Sequence, residues 1–321
     1  MMKDQLRIVF MGTPEFAVGI LDALVQSKHE VVGVVTVADK PAGRGQQVQQ
    51  SAVKQYALSK ELPVLQPEKL REESFLNKLS ALEADLFVVV AFRMLPDIVW
   101  KMPTYGTINL HASLLPKYRG AAPINWAIMN GEKETGVSTF FINENIDTGA
   151  IIAQKTIPLS TQISAGELHD ELKNLGAVLT VETADQICAG NVSTIEQDPN
   201  DTQFPFAPKI FKADCEINWE LPATTNHNRI RGLSPYPAAW CKLWSHKKSA
   251  WISFKLFGSS TIELSDNFRK DGPFSTADGI VFPSGDGYVL LKEIQAEGKK
   301  RMDFKSFLAG NDLTDLFFRE S

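Results

Sequence analysis

At 321 residues the chain is long enough for two domains, each able to bury its own core. Its 44% hydrophobic and 22% charged residues exclude a fibrous or disordered class, and a net charge of -5 argues against a generic nucleic-acid binder. The average hides an asymmetry: residues 208–321 hold 16 Lys+Arg against 14 Asp+Glu, whereas residues 1–207 hold 17 against 24.

The longest apolar run, Leu86 to Phe92, is a strand's length and far short of the roughly 18 to 20 residues of a membrane span. MMKDQLRIVFMG leaves no room for a signal peptide before a strand begins near Leu6, so a cytoplasmic location and no membrane contact are expected. Cys188, Cys215 and Cys241 are too few and too widely spaced for a disulfide framework or a metal-ligand pattern. They are expected to be reduced and buried.

LRIVFMG reads as a strand ending at Gly12; Thr13 as N-cap, Pro14 and Glu15 then open a helix that runs to about Ser27. Gly12-x-Pro14-x-x-Ala17 imitates a dinucleotide fingerprint, but Pro14 puts bulk where backbone must approach a pyrophosphate and removes an N–H. The expected fold class is therefore α/β, a doubly wound, mostly parallel sheet, with neither NAD nor a metal. EVVGVVTVA is the second strand, and Ala38 to Gly45 follows as an exposed loop with two glycines and a proline. Ser51 to Glu61 reads as a helix, Pro63 to Leu65 as a short strand and Ser74 to Leu82 as a second amphipathic helix. ADLFVVVAF is a continuous apolar run, the mark of a parallel strand covered on both faces. Arg93-Met94-Leu95-Pro96 follows at its C-terminal edge.

TINLHASLLPKYRGAAPI, residues 107 to 124, begins as an alternating strand in which Ile108 and Leu110 point one way and Asn109 and His111 the other. The strand then runs into Ser113, Pro116 and Gly120, at the edge where open α/β sheets bind ligands. A lone His at a strand end is usually structural, and Asp147-Thr148-Gly149 by itself is ordinary turn chemistry. Asn, His and Asp together with this loop point to a site instead. His111-x-Ser113-Leu114-Leu115-Pro116-x-x-x-Gly120, with Asn109 before it and Asp147 after, resembles the signature of the formyltetrahydrofolate-dependent formyltransferases, and the likeness extends over nearly the whole chain.

The resemblance implies 10-formyltetrahydrofolate as formyl donor. It gives Asn109 and His111 the work of stabilising an oxyanion, and Asp147 that of holding the imidazolium and relaying the amine's proton. It implies folate contacts from Arg93, Met94 and Leu95 and from Ser113, Leu114, Leu115 and Pro116. Pro41-Ala42-Gly43-Arg44-Gly45 is similar to a loop that methionyl-tRNA formyltransferases wedge into the acceptor end of tRNA, with Arg44 as the contact. Two departures stand out: Ala91-Phe92-Arg93 where Ala-Tyr-Gly is frequent, and Asn145 where glycine is usual, a residue that tolerates a positive φ.

Further along, Ala121 to Asn130 reads as a helix, Gly136 to Ile142 as a strand, and Ser164 to Ala189 as a long helix broken near Gly176 with His169 as a packing residue. Polar, proline-rich residues 198–208 are the expected linker between a catalytic domain, 1–197, and a C-terminal domain, 209–321. Short strands at Ser249 to Leu256, Gly279 to Phe282 and Gly287 to Leu291 suggest a small OB-like β-barrel there. Residues 207–219 and 230–240 resemble the start of this domain in the tRNA enzymes, and Lys299, Lys300 and Arg301 form a basic turn. The implied partners are folate and initiator methionyl-tRNA, bound by a monomer. An amino-sugar nucleotide N-formyltransferase is the enzyme alternative. A non-catalytic tRNA- or nucleotide-binding module is the other, and it would need no Asn109, His111 and Asp147 together.

Overall fold

Two units, each with its own sheet, make up the computed structural model, which describes residues 3–42, 47–198, 200, 202–264 and 268–319. The first unit comprises residues 1–123, 135–157 and 169–207, and the second residues 124–134, 158–168 and 208–321.

The chain opens with β1 (Arg7–Gly12), α1 (Glu15–Gln26), β2 (Glu30–Val35), β3 (Lys40–Ala42), β4 (Gln47–Gln49), α2 (Ala52–Ser59) and β5 (Val64–Leu65). It continues through α3 (Glu73–Ser80), β6 (Leu86–Val90), α4 (Asp97–Trp100), β7 (Thr107–His111), α5 (Pro123–Met129), β8 (Glu134–Phe141), β9 (Ile151–Pro158) and α6 (Ala165–Cys188). The first sheet has the order β5-β2-β1-β6-β7-β8-β9, parallel from β5 to β7, with β8 antiparallel to β7. Every residue of β6 is buried, as its unbroken apolar run requires. Val9, Met11, Phe87, Val89 and Val99 form one of the hydrophobic clusters around it. This is the doubly wound, mostly parallel sheet expected.

Three local expectations are corrected. Pro14, not Thr13, occupies the N-cap of α1, in extended geometry and with no side-chain cap bond. Helix α6 does not break at Gly176: a Cβ there would lie 2.6 Å from Leu110 Cδ2, so the glycine admits close packing on β7 within an unbroken helix. Between β2 and α2 the expected loop includes a hairpin, with Lys40 opposite Gln49 and Ala42 opposite Gln47. Arg44 lies outside the described residues.

The second unit adds α7 (Ala223–Gly232), β10 (Ala239–Ser245), β11 (Ala250–Ile262), β12 (Phe274–Ser275), β13 (Ile280–Ser284), β14 (Gly287–Ala296), β15 (Met302–Asp303), α8 (Phe304–Leu308) and β16 (Leu316–Phe317). Its antiparallel sheet runs β12-β13-β14-β11-β10-β16, with β15 on β14. The 13-residue β11 pairs with β10 through Ala250–Leu256 and with β14 through Phe254–Ile262. A long strand whose two halves face different neighbours curls the sheet, which fits a half-barrel around Leu243, Leu256, Phe282, Leu291 and Phe307. All three cysteines are free and buried; burial pushes the Cys241 thiol up to about 12.

His227 on α7 is buried, with Nε2 donating to Thr161 O at 2.8 Å and Nδ1 paired with Ser259 Oγ at 2.8 Å. Burial holds its pKa below the ordinary histidine value. A depressed folded-state value means that the unfolded chain binds the proton first. The contribution is therefore complete above about pH 6.5 and is lost as pH falls through the folded value. The thermal midpoint is expected to fall between neutral pH and mild acid. His227→Gln, which retains a donor and an acceptor, should flatten that dependence; an identical slope in the variant would remove His227 as its source.

Candidate active site

Strand β7 lies between β6, with Val89 beside Asn109, and β8, with Asn109 opposite Phe140 and His111 opposite Ser138. Ile108 and Leu110 are buried in the core, while the alternate positions deliver Asn109 and His111 to the other face. Asn109 is half-buried, and its amide has no hydrogen-bond partner among the described residues.

His111 is buried and held by hydrogen bonding at one ring nitrogen. Its Nε2 is 2.8 Å from Tyr118 O, and because a carbonyl only accepts, Nε2 carries the hydrogen. Nδ1 is left facing Asp147 Oδ2 at 3.7 Å, an ion-pair separation rather than a hydrogen bond. The Gly120 N–H donates to that same Oδ2 at 2.9 Å. The second carboxylate oxygen of Asp147, Oδ1, has no partner among the described residues. Three consecutive loop positions, 118 to 120, thus include both anchors of the pair.

The turn carrying Asp147 departs from expectation in one respect. Asn145 does not take the positive φ; Asp147 does, at +55°. Asn143 Oδ1 instead accepts from Asn145 N and Thr148 Oγ1, both at 3.0 Å, which settles the turn one step earlier. Gly149 is dictated by space, since a Cβ there would sit 1.7 Å from Phe141 O.

Ser138 Oγ braces the loop after His111: it donates to Ser113 O at 2.6 Å and accepts from Leu115 N at 3.0 Å and Gln154 Nε2 at 2.7 Å. Ser113 is fully buried, with Oγ on Lys117 O at 2.7 Å, which rules against a nucleophile's role. Leu115 packs on Phe140 and Ile151, whereas Leu114 and Pro116 are half-buried.

At the end of β6, Ala91 turns the chain with φ +46°. Arg93 donates to Pro67 O at 2.5 Å and Glu68 O at 2.9 Å and lies 5.7 Å from the Phe92 ring. Met94 is 68% exposed, and Leu95 is buried among Val9, Val89 and Val99. The Leu95 side chain is therefore committed to the core.

In the second unit, Lys299 and Lys300 are exposed and without an ion pair among the described residues. Arg301 is already engaged, stacked 4.1 Å from the Phe257 ring centroid and paired with Glu293. Elsewhere in the first unit Glu15, His169 and Asp170 cluster, but Lys173 Nζ sits 2.9 Å from Glu15 and 3.3 Å from Asp170 and takes up their charge.

Sequence reasoning missed Tyr118, Ser138 and Gln154 as supports of the site. Most act through main-chain groups or amides that leave no spacing signal.

A family profile described as formyl transferase matches residues 6–183, and one for the formyl transferase C-terminal domain matches residues 209–312. Methionyl-tRNA formyltransferase of Flavobacterium johnsoniae is 50% identical over 97% of this chain and 98% of its own length. That of Bacteroides fragilis is 47% identical over 99% and 98%. Among solved structures, Aquifex aeolicus HypX in complex with tetrahydrofolic acid aligns with TM-score 0.64 and 17% identity, covering 94% of this chain and 47% of that one. WlaRD, a sugar 3N-formyl transferase, aligns with TM-score 0.61 and 19% identity over 92% and 99%. At such identities these structures speak for the fold alone. With half of its residues shared across almost its entire length, the chain belongs to the methionyl-tRNA formyltransferase family of formyl transferases.

Proposed function

We propose that this chain transfers the formyl group of 10-formyltetrahydrofolate to the α-amino group of initiator methionyl-tRNA, acting as a monomer in the cytoplasm. Residues 1–197 carry the chemistry, 198–208 link, and 209–321 grip the tRNA. The observation that carries the acceptor is 50% identity over 97% of the chain to a methionyl-tRNA formyltransferase, since the fold by itself hosts several acceptors.

The folate supplies a formyl group on its N10. The residues present suit a carbonyl group that gains negative charge. Asn109 brings an amide donor that is free among the described residues, and His111 a second donor through Nδ1 when protonated, counter-charged by Asp147 at 3.7 Å. Oδ1 of Asp147, without a partner among the described residues, takes the proton of the attacking amine and passes it, directly or through water, toward the leaving nitrogen. Main-chain groups of Arg93, Met94 and Leu95 and the loop Ser113 to Pro116 hold the pterin. Arg44, Lys299, Lys300 and Arg301 contact tRNA phosphates, giving affinity that a small aminoacyl group cannot supply.

Incubation with formyl-labelled 10-formyltetrahydrofolate and either methionyl-tRNA or an amino-sugar nucleotide tests this reading. Label is expected on methionyl-tRNA. Label on the sugar alone would replace the assignment.

A further inference from the structure

Arg119 is 3% exposed, yet among the described residues it has no carboxylate partner. Its Nε and Nη2 both donate to Gln197 Oε1, at 3.2 and 2.9 Å, and Nη2 also reaches Asp198 O at 3.1 Å. Among the described residues this buried guanidinium is held by neutral oxygens alone, which exchange its hydration for hydrogen bonds of fixed geometry. Because both donors claim the amide oxygen of Gln197, the orientation of that amide follows. Its nitrogen then points to the turn, donating to Asp147 O at 3.1 Å and Gly149 O at 2.7 Å.

Arg119 is flanked by the two anchors of the reactive pair. Tyr118, before it, holds His111 Nε2 through its carbonyl, and Gly120, after it, holds Asp147 Oδ2 through its N–H. The backbone of the Asp147 turn is tied through Gln197 to the very segment that fixes His111. Asp147 itself sits at φ +55°, a left-handed conformation that an aspartate tolerates better than most residues and that the bonds from Gln197 to the Asp147 and Gly149 carbonyls brace.

We propose that Arg119 and Gln197 form a strut that sets the position of the Asp147 carboxylate against His111 Nδ1, making Gln197 a positioning residue for formyl transfer. This rests on the catalytic reading of Asp147 given above. Gln197→Glu isolates the strut's second half: one carboxylate oxygen still receives Arg119, while the other faces the Asp147 and Gly149 carbonyls with no hydrogen to give. Gln197→Met, of similar size, removes both halves and serves if the first variant does not fold.

Turnover, KM for each substrate, thermal midpoint and the pH dependence of turnover are measured for each variant and for Asp147→Ala. Turnover is expected to fall about 10- to 100-fold, as for a displacement of up to an ångström, with both KM values within about threefold of wild type. The pH profile of turnover should shift, which a loss of packing would not produce. In an Asp147→Ala background, adding Gln197→Glu or Gln197→Met should cost nothing further, because the strut acts through Asp147. If Asp147→Ala is slow while the Gln197 variants keep wild-type turnover and pH profile, the strut proposal fails alone. If Asp147→Ala itself keeps wild-type turnover, the catalytic reading fails and the strut with it.

Discussion

Replacing Asn109 or His111 with Ala should lower turnover at saturating substrates by about 100- to 1,000-fold, the usual cost of removing one donor to a developing oxyanion, and Asp147→Ala by about 100- to 10,000-fold, the range for losing a positioned proton acceptor. The three differ in what they cost the fold. Asn109 is half-buried with no side-chain bond among the described residues, so Asn109→Ala should leave the thermal midpoint where it is. His111→Ala removes the Nε2–H from the Tyr118 carbonyl, and Asp147→Ala removes the acceptor of the Gly120 N–H, the latter costing about 1–3 kcal/mol if that N–H stays buried and unpaired. Stability and turnover therefore move independently across the series. Circular dichroism melts beside steady-state kinetics would separate them. A residue whose variant keeps near-wild-type turnover leaves the catalytic set.

The second large effect concerns tRNA. Arg44→Ala should reduce turnover by about 100-fold as well as weaken binding, because a misplaced methionyl end no longer meets the formyl group. Substituting Lys299 and Lys300 should act differently. Both are exposed and unpaired among the described residues, so their removal should weaken tRNA binding and lower the salt slope of log K by about one for each phosphate no longer neutralised. Turnover at saturating tRNA should barely change. Arg301→Ala would blur the distinction, since that guanidinium also packs on Phe257 and pairs with Glu293. Binding and turnover for Arg44→Ala and for the double lysine variant at two salt concentrations test the division; unchanged tRNA use in both would detach these residues from the tRNA.

Much of this was legible in the chain because its signals were local. The unbroken apolar run of β6 and the alternation of β7, which delivers Asn109 and His111 together, are periodic patterns a sequence displays directly. Strands β12, β15 and β16 are two residues each and too short to carry any period. Strand β10 does alternate in burial, but AWCKLWS places tryptophans at half-buried positions and a cysteine inside, which weakens the pattern by composition. Gly176 reads as a helix breaker until Leu110 is seen against it. The supports of the site were hidden for the same reason: Arg119 and Gln197 lie 78 residues apart, and their other partners include peptide carbonyls that any residue could provide.

Single-turnover transfer by His111→Ala, Asp147→Ala and the double variant tests most directly whether the two residues work as one proton-handling unit. If they do, the double variant should be within about threefold of the slower single variant, because the second substitution removes a function already gone. Losses that multiply across the two singles would show His111 and Asp147 acting separately and would contradict the mechanism.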